Sequence, residues 1–354
     1  MHVERASEDI YIFTSERYAQ VTASLIVSGK TGVLIDTMPF PEETAQIAML
    51  AHRRCPDGVR YIIYTQHEAD HVYGAYLFPR AEIIAHSAAR EALLQNAYKS
   101  LAQAKASSRE FEHVTIKLPT FSFSSGTFTL RLPGKTLEIF PTPGHTPDSV
   151  SVLLHEERLL FAGDTVMAVP TIANGNIDQL KDSLTKIAAM QLESIVQGHG
   201  EIILRGEIKE VMRRSIAYLD NVQAKVQKLV DEGSPREAAK TITIESCGLQ
   251  RVLLNGVVGP LHTANVLALY DKLKGPAPVV AEVKPHEPKP TAAPSPKTAK
   301  PTAPTKPTAK PAPAKPAKKP ASKPASKATS KPAAKAKPQK ATPKPAKKAP
   351  TKKR

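Results

Sequence analysis

Thr65-Gln66-His67-Glu68-Ala69-Asp70-His71 is the densest polar cluster in the chain, and the strand-like run Arg60-Tyr61-Ile62-Ile63-Tyr64-Thr65 leads directly into it. A run of that length and composition predicts a buried strand. A strand ending in two acidic and two imidazole side chains holds them on a rigid element facing a cleft, which suits metal ligands. Strand alternation puts Gln66 and Glu68 on one face and His67 on the other.

Three later stretches repeat this build. The strand-like residues 137–140 lead to Pro143-Gly144-His145-Thr146, residues 158–161 to Gly163-Asp164-Thr165, and residues 194–197 to Gly198-His199-Gly200. Each sets a His or Asp beside a glycine, where the backbone can approach an ion closely. Upstream, residues 23–27 and 32–36 predict two strands joined by a turn at Gly29-Lys30-Thr31-Gly32. Residues 41–54 predict an amphipathic helix with Pro41 in its first turn. A strand over 82–85, a helix over 88–104, an all-β stretch over 120–161 and a helix over 178–190 follow. Residues 206–273 are mostly helical in pattern, most clearly 213–232, which Gly233 and Pro235 close.

These ordered motifs resemble the metallo-β-lactamase superfamily over about residues 8–205, and most resemble its glyoxalase II-like and lactonase-like hydrolases. That family's first motif is H-x-H-x-D-H. It is followed by a His after Pro-Gly, an Asp in Gly-Asp-Thr/Ser, and a His in Gly-His-Gly. Ile35-Asp36-Thr37 matches the family's early Asp-Thr turn. The resemblance implies an α/β fold, the αββα metallo-β-lactamase sandwich, with a helical C-terminal extension narrowing the pocket. It also implies two divalent metal ions (zinc, or iron or manganese) and a small-molecule substrate. The expected activity is hydrolysis of an ester, thioester or lactone-like bond by a metal-bound hydroxide, which Asp70 orients. Carried over residue by residue, Gln66, Glu68, His145 and a bridging Asp164 would hold one metal. Asp70, His71, His199 and the same Asp164 would hold the other.

The first motif departs from the family. Aligned on Asp70 and His71, its two leading histidines fall on Gln66 and Glu68, and His67 is out of register. An extra carboxylate lowers the net charge of a two-metal site by one, which weakens Lewis acidity and raises the pKa of bound water. Replacing imidazole by carboxylate and amide moves preference from zinc toward iron or manganese. A Glu at this position resembles the superfamily's diiron flavoproteins. Two other readings therefore stay open: a non-hydrolytic diiron protein that binds or senses oxygen or nitric oxide, and a catalytically degenerate binding module.

Composition divides the chain into residues 1–205 (the metallo-β-lactamase-fold domain), 206–275 (the helical extension) and 276–354 (a disordered Lys/Pro/Ala-rich tail). The whole-chain charge is +16, but residues 276–354 hold 21 Lys or Arg against two acidic residues, a net of +19, which leaves −3 for residues 1–275. That tail holds 20 of the 32 prolines and no aromatic residue, so it cannot bury enough apolar surface to fold. It resembles the tails of linker histones. Cys55 and Cys247 form no disulfide framework and no C-x-x-C knuckle. The N-terminus lacks the pattern of a secretory signal, and no apolar run approaches the roughly 18 residues of a membrane span. The expected setting is cytoplasmic, with no membrane contact. The tail is expected to bind nucleic acid without reading sequence. A gel-shift salt titration checks this: full-length protein should bind weakly with a steep salt dependence and residues 1–275 not at all. Equal binding by both, or by neither at low salt, rejects it.

Overall fold

The computed structural model describes residues 1–250 and 254–275, so the basic tail expected over 276–354 lies outside the described residues. Thirteen strands form two sheets among the described residues. The first sheet holds β1 (His2–Ser7), β2 (Ile10–Thr14), β3 (Thr22–Ser28), β4 (Thr31–Ile35), β5 (Val59–Ile63), β6 (Glu82–His86) and β7 (Phe121–Phe123), side by side in chain order. Strands β1 to β4 run antiparallel, and β4 to β7 run parallel. The second sheet contains β8 (Phe128–Leu132), β9 (Lys135–Pro141), β10 (Val150–Leu154), β11 (Leu159–Gly163), β12 (Ser194–Gln197) and β13 (Ile203–Leu204), in the order 13-12-11-10-9-8.

Strands β2, β3, β4, β10, β11 and β12 read as nearly continuous apolar runs because they bury both faces. Ile10, Ile12, Ile26, Ile35, Ile63 and Ile84 of the first sheet meet Leu137, Ile139, Val150, Val152, Phe161 and Val196 of the second in a core between the sheets. Their neighbours Tyr11, Phe13, Leu25, Leu34, Ile62 and Ile83 turn outward, onto α1 (Pro41–Arg54), α2 (Ala69–Val72), α3 (Ser87–Ala92) and α4 (Tyr98–Ser107). Leu160, Ala162 and Ile195 pack outward against α5 (Ile177–Ala189), α6 (Ile208–Asp231) and α7 (Val258–Lys274). Helix, sheet, sheet and helix therefore stack in four layers, the expected αββα sandwich. Each fully buried Ile or Leu contributes about 2 kcal/mol, so stability is spread over three cores and not lodged in any one side chain.

The expected elements agree closely at α1, β5, β6 and β12. β1 and β2 have no counterpart in the sequence reading. The helix expected over 88–104 is interrupted by a π turn at Leu93–Ala97 between α3 and α4. α6 starts at Ile208, ahead of the expected 213. Backbone hydrogen bonds stitch the two sheets at one rim: Thr22 N donates to Gly198 O at 2.9 Å, and Val150 N to Thr65 O at 2.9 Å. The polar motifs collect at this rim.

Candidate metal centre

Asp36 leaves the end of β4 with a left-handed φ of 57°, rare outside glycine. Its carboxylate is the hub of the rim. Oδ1 accepts from Thr65 N at 2.7 Å, and Oδ2 accepts from Thr65 Oγ1 at 2.6 Å and pairs with His71 Nδ1 at 2.9 Å. These bonds hold the turn after β5, and Thr37 clasps its far side, where N and Oγ1 both donate to His71 O. Residues 66–71 are thereby fixed over the gap between the sheets.

The other two histidines are anchored in the same manner. His145 Nδ1 lies 3.1 Å from Thr171 O, and His199 Nδ1 lies 3.0 Å from Ala19 O. With each Nδ1 bound to an oxygen, all three rings direct Nε2 inward. A hydrogen bond at one ring nitrogen is how proteins set the tautomer of a metal-ligating imidazole. Glycine makes the close approaches possible. A Cβ on Gly198 would fall 1.8 Å from Asp164 Oδ1, and one on Gly144 (φ 141°) 2.3 Å from the Leu180 backbone.

Six of the expected side chains meet as two triads, Glu68–His145–Asp164 and Asp70–His71–His199, each with donor atoms within 4.8 Å of one another. Asp164 touches both: Oδ2 is 3.4 Å from His71 Nε2 and 3.4 Å from His145 Nε2, and Oδ1 is 3.5 Å from His199 Nε2. Ligands about 2.1 Å from a tetrahedral cation stand about 3.4 Å apart, so these separations fit cation edges better than hydrogen bonds. His71 Nε2 and Asp164 Oδ1 are buried with no hydrogen-bond partner. Two unpartnered polar atoms facing one buried space are costly unless a cation joins them. The two donor groups are therefore of a kind that could hold divalent metal.

Gln66 occupies a different place from Glu68. It is buried, donates from Nε2 to Asp164 Oδ2 at 2.8 Å, and accepts from Thr146 Oγ1 at 3.4 Å. Both ends of its amide are thus engaged within the protein. His67 turns away from the triads, and its Nδ1 pairs with buried Asp148 Oδ1 at 2.8 Å. His262 is buried between Tyr218 OH (2.8 Å) and Ile242 O (2.9 Å), a structural histidine. His86 caps α3 by accepting from Ala88 N. The sequence reading singled out neither Asp148 nor Thr171. Asp148 lay three residues past His145 as a visible carboxylate, but Thr171 acts through its carbonyl and has no sequence signal.

With no cation present, protons and carboxylates balance each other. Burial opposes charge on His145, but its hydrogen bond to Glu68 and the negative charge of Asp164 push its pKa up to about 9. Burial is likewise outweighed at His199, where Asp164 and Asp70 push the pKa to about 10, and at His71, which Asp164, Asp70 and Asp36 hold well above the usual imidazole range. Burial works to raise the pKa of Asp164, yet His199 and His71 hold it well below the carboxylate range; His71 and His199 lower that of Asp70 against the same opposition.

A family model described as the metallo-beta-lactamase superfamily matches residues 17–207. The chain belongs to that superfamily. A metallo-beta-lactamase family protein from Thermus thermophilus shares the fold, with a TM-score of 0.57 at 17% identity over 75% of this chain and 93% of that one. The "Beta-lactamase-like protein 2 homolog" of Caenorhabditis elegans is 36% identical over 83 residues, 23% of this chain and 28% of that protein. The "Atrochrysone carboxyl ACP thioesterase" of Aspergillus fumigatus is 27% identical over 141 residues, 40% of each chain. The chain thus spans about a quarter to two fifths of the length of these curated relatives.

The pH dependence follows from these shifts. Imidazoles raised above their unfolded value stabilise the cation-free fold below about pH 6.5, and that stabilisation is lost as pH rises through about 9 to 10. Cations compete with the same protons, so their affinity moves the other way. The melting temperature of cation-free protein should fall between about pH 7 and about pH 10, and the rise on adding zinc or manganese should grow over that range. Melting curves with and without cation check both trends; a rise that shrinks with pH would show that these imidazoles are not ligands.

Proposed function

We propose that this chain is a metal-dependent hydrolase of ester or thioester bonds, lactone-like esters included. The observation that carries the reading is Asp164, a member of one donor triad that also lies 3.4 Å from His71 and 3.5 Å from His199 of the other, with its Oδ1 and His71 Nε2 otherwise unpartnered. The name of the Aspergillus fumigatus relative supports the thioester class. Two divalent metals supply, when bound, an acidified water and a polarised carbonyl.

The chain's own residues do the rest. Glu68, His145 and Asp164 are assigned to one metal, and Asp70, His71, His199 and Asp164 to the other. Gln66 is assigned to orienting Asp164, because both ends of its amide are already engaged. A cleft of about 370 Å³, lined by Tyr18, His67, Glu68, Asp70, Tyr73 and Asn96 among others, opens over the triads. That volume suits a small molecule. Asp70 belongs both to a triad and to the cleft wall, so it is the carboxylate assigned to orienting the attacking water and accepting its proton. Asp70 and burial push the Tyr18 phenol up to about 12, so it keeps its proton and can donate to a substrate oxygen. Asp148 holds Nδ1 of His67, which leaves Nε2 as that ring's contact for a substrate.

Glu68 gives its triad two carboxylates and one imidazole, a harder donor set in which iron or manganese competes well with zinc. Elemental analysis of protein purified without chelators should find between one and two metals per chain. Asp164→Ala should deplete both positions and abolish turnover of simple esters and thioesters, whereas His67→Ala should keep the metals. Gln66→His combined with Glu68→His should shift preference toward zinc and raise that turnover. Protein unable to take up zinc, iron or manganese sinks the proposal, and bound iron without any ester or thioester turnover favours the non-hydrolytic diiron reading.

A further inference from the structure

In the loop between β11 and α5, Asp164 and Val166 at its start reach the second triad as well, Asp164 facing His71 and His199 and Val166 O accepting from Gly198 N at 3.1 Å, whereas residues 170–176 support the first triad. Thr171 O anchors His145 Nδ1 at 3.1 Å, and Asn174 Nδ2 donates to Glu68 Oε1 at 3.1 Å. Asn176 N donates to Gly144 O at 2.8 Å, fixing the turn that carries His145. The second triad rests on other supports: Asp36 for His71 and Ala19 O for His199.

What fixes this loop comes from far along the chain. Asn265 of α7 is fully buried, and its amide grips the backbone on either side of Thr171. Oδ1 accepts from Ile172 N at 2.8 Å, and Nδ2 donates to Pro170 O at 2.7 Å. Two bonds of opposite polarity to the flanking peptide groups set the direction of the Thr171 carbonyl between them. Nδ2 also donates to Tyr218 OH of α6 at 3.1 Å, and Tyr218 OH pairs with His262 Nδ1 at 2.8 Å. This chain of bonds ties both C-terminal helices to the back of the loop.

We propose that Asn265 is a positioning residue for the Glu68–His145–Asp164 position, acting through the Thr171 carbonyl, so that α6 and α7 belong to the metal centre and not merely to the outer layer. The proposal rests on the ligand assignment above. An outer hydrogen-bond partner of a ligating histidine is typically worth about ten- to a hundredfold in metal affinity. Because the second triad has its own supports, the loss should fall on one position only.

Asn265→Asp is the informative variant: it can still accept from Ile172 N but sets a carboxylate oxygen against Pro170 O. Tyr218→Phe is the control, since it breaks the same network while leaving both of Asn265's bonds to the loop. Cation-free full-length chains are titrated with zinc and with manganese against a chromophoric chelator. N265D should lose about ten- to a hundredfold at one position and keep the other. Y218F should melt lower yet bind at both positions as the wild type does. Folded N265D with both affinities unchanged, or with equal losses at both, overturns the proposal. Should N265D not fold, Asn265→Ser, which is too short to span both peptide groups, replaces it under the same criteria. A wild-type chain that takes up no cation overturns the ligand assignment instead. The positioning role is then decided by nitrogen NMR of the cation-free protein: the His145 Nδ1–H hydrogen bond should weaken in N265D, and an unchanged signal rejects the role.

Discussion

Asp36, Glu68, Asp70 and Asp164 bring four carboxylates to one rim between two sheets, with Asp36 and Asp164 wholly inside. Like charges in a low-dielectric setting cannot stand together uncompensated. Here the compensation comes from three imidazoles whose pKa values burial alone would lower and the carboxylates raise. Protons on the histidines offset the carboxylates, and the same side chains form two groups that could hold metal cations. His71 Nε2 and Asp164 Oδ1 are buried without a hydrogen-bond partner.

Such a site depends on its surroundings more than on its own residues. Every inward Nε2 is aimed by an outward Nδ1, and the three Nδ1 partners lie on three different segments: Asp36 after β4, Ala19 before β3 and Thr171 after β11. The rim hydrogen bonds from Thr22 to Gly198 and from Val150 to Thr65 lock the two sheets at the height where the motifs emerge. Gly198 and Gly144 let backbone pass where any side chain would collide with Asp164 or with Leu180 of α5. The two triads differ in what supports them, which makes them separable by mutation.

Much of this was legible beforehand because the signals are local. The strand-like run and the polar residues after it pointed to a cluster of candidate ligands, although β5 closes at Ile63 and residues 66–68 lie in the turn beyond it, where His67 pairs with Asp148. The buried strands β3, β4, β5 and β12 were readable from short apolar runs and their flanking turns. The β1–β2 hairpin was not, because β1 is exposed along nearly its whole length and carries polar residues that suit a loop equally well. The π turn inside the 87–107 helical region was also hidden, since its residues are ordinary helix formers and packing selects the extra residue.

The sequence by itself determined which residue types stand at the ends of which strands, and hence the family, the four-layer fold and the identity of six candidate ligands. That information is carried by spacing and by side-chain chemistry, both properties of the linear chain. Tertiary structure alone decided what surrounds those residues: that Gln66 spends its amide on Asp164 and Thr146, that His145 Nδ1 meets the Thr171 carbonyl, and that a buried asparagine about 120 residues away bonds the backbone on either side of Thr171. The physical reason is that these roles belong to main-chain carbonyls and amides and to distances between strands. Every residue carries the same main-chain groups, so only folding gives them individual work.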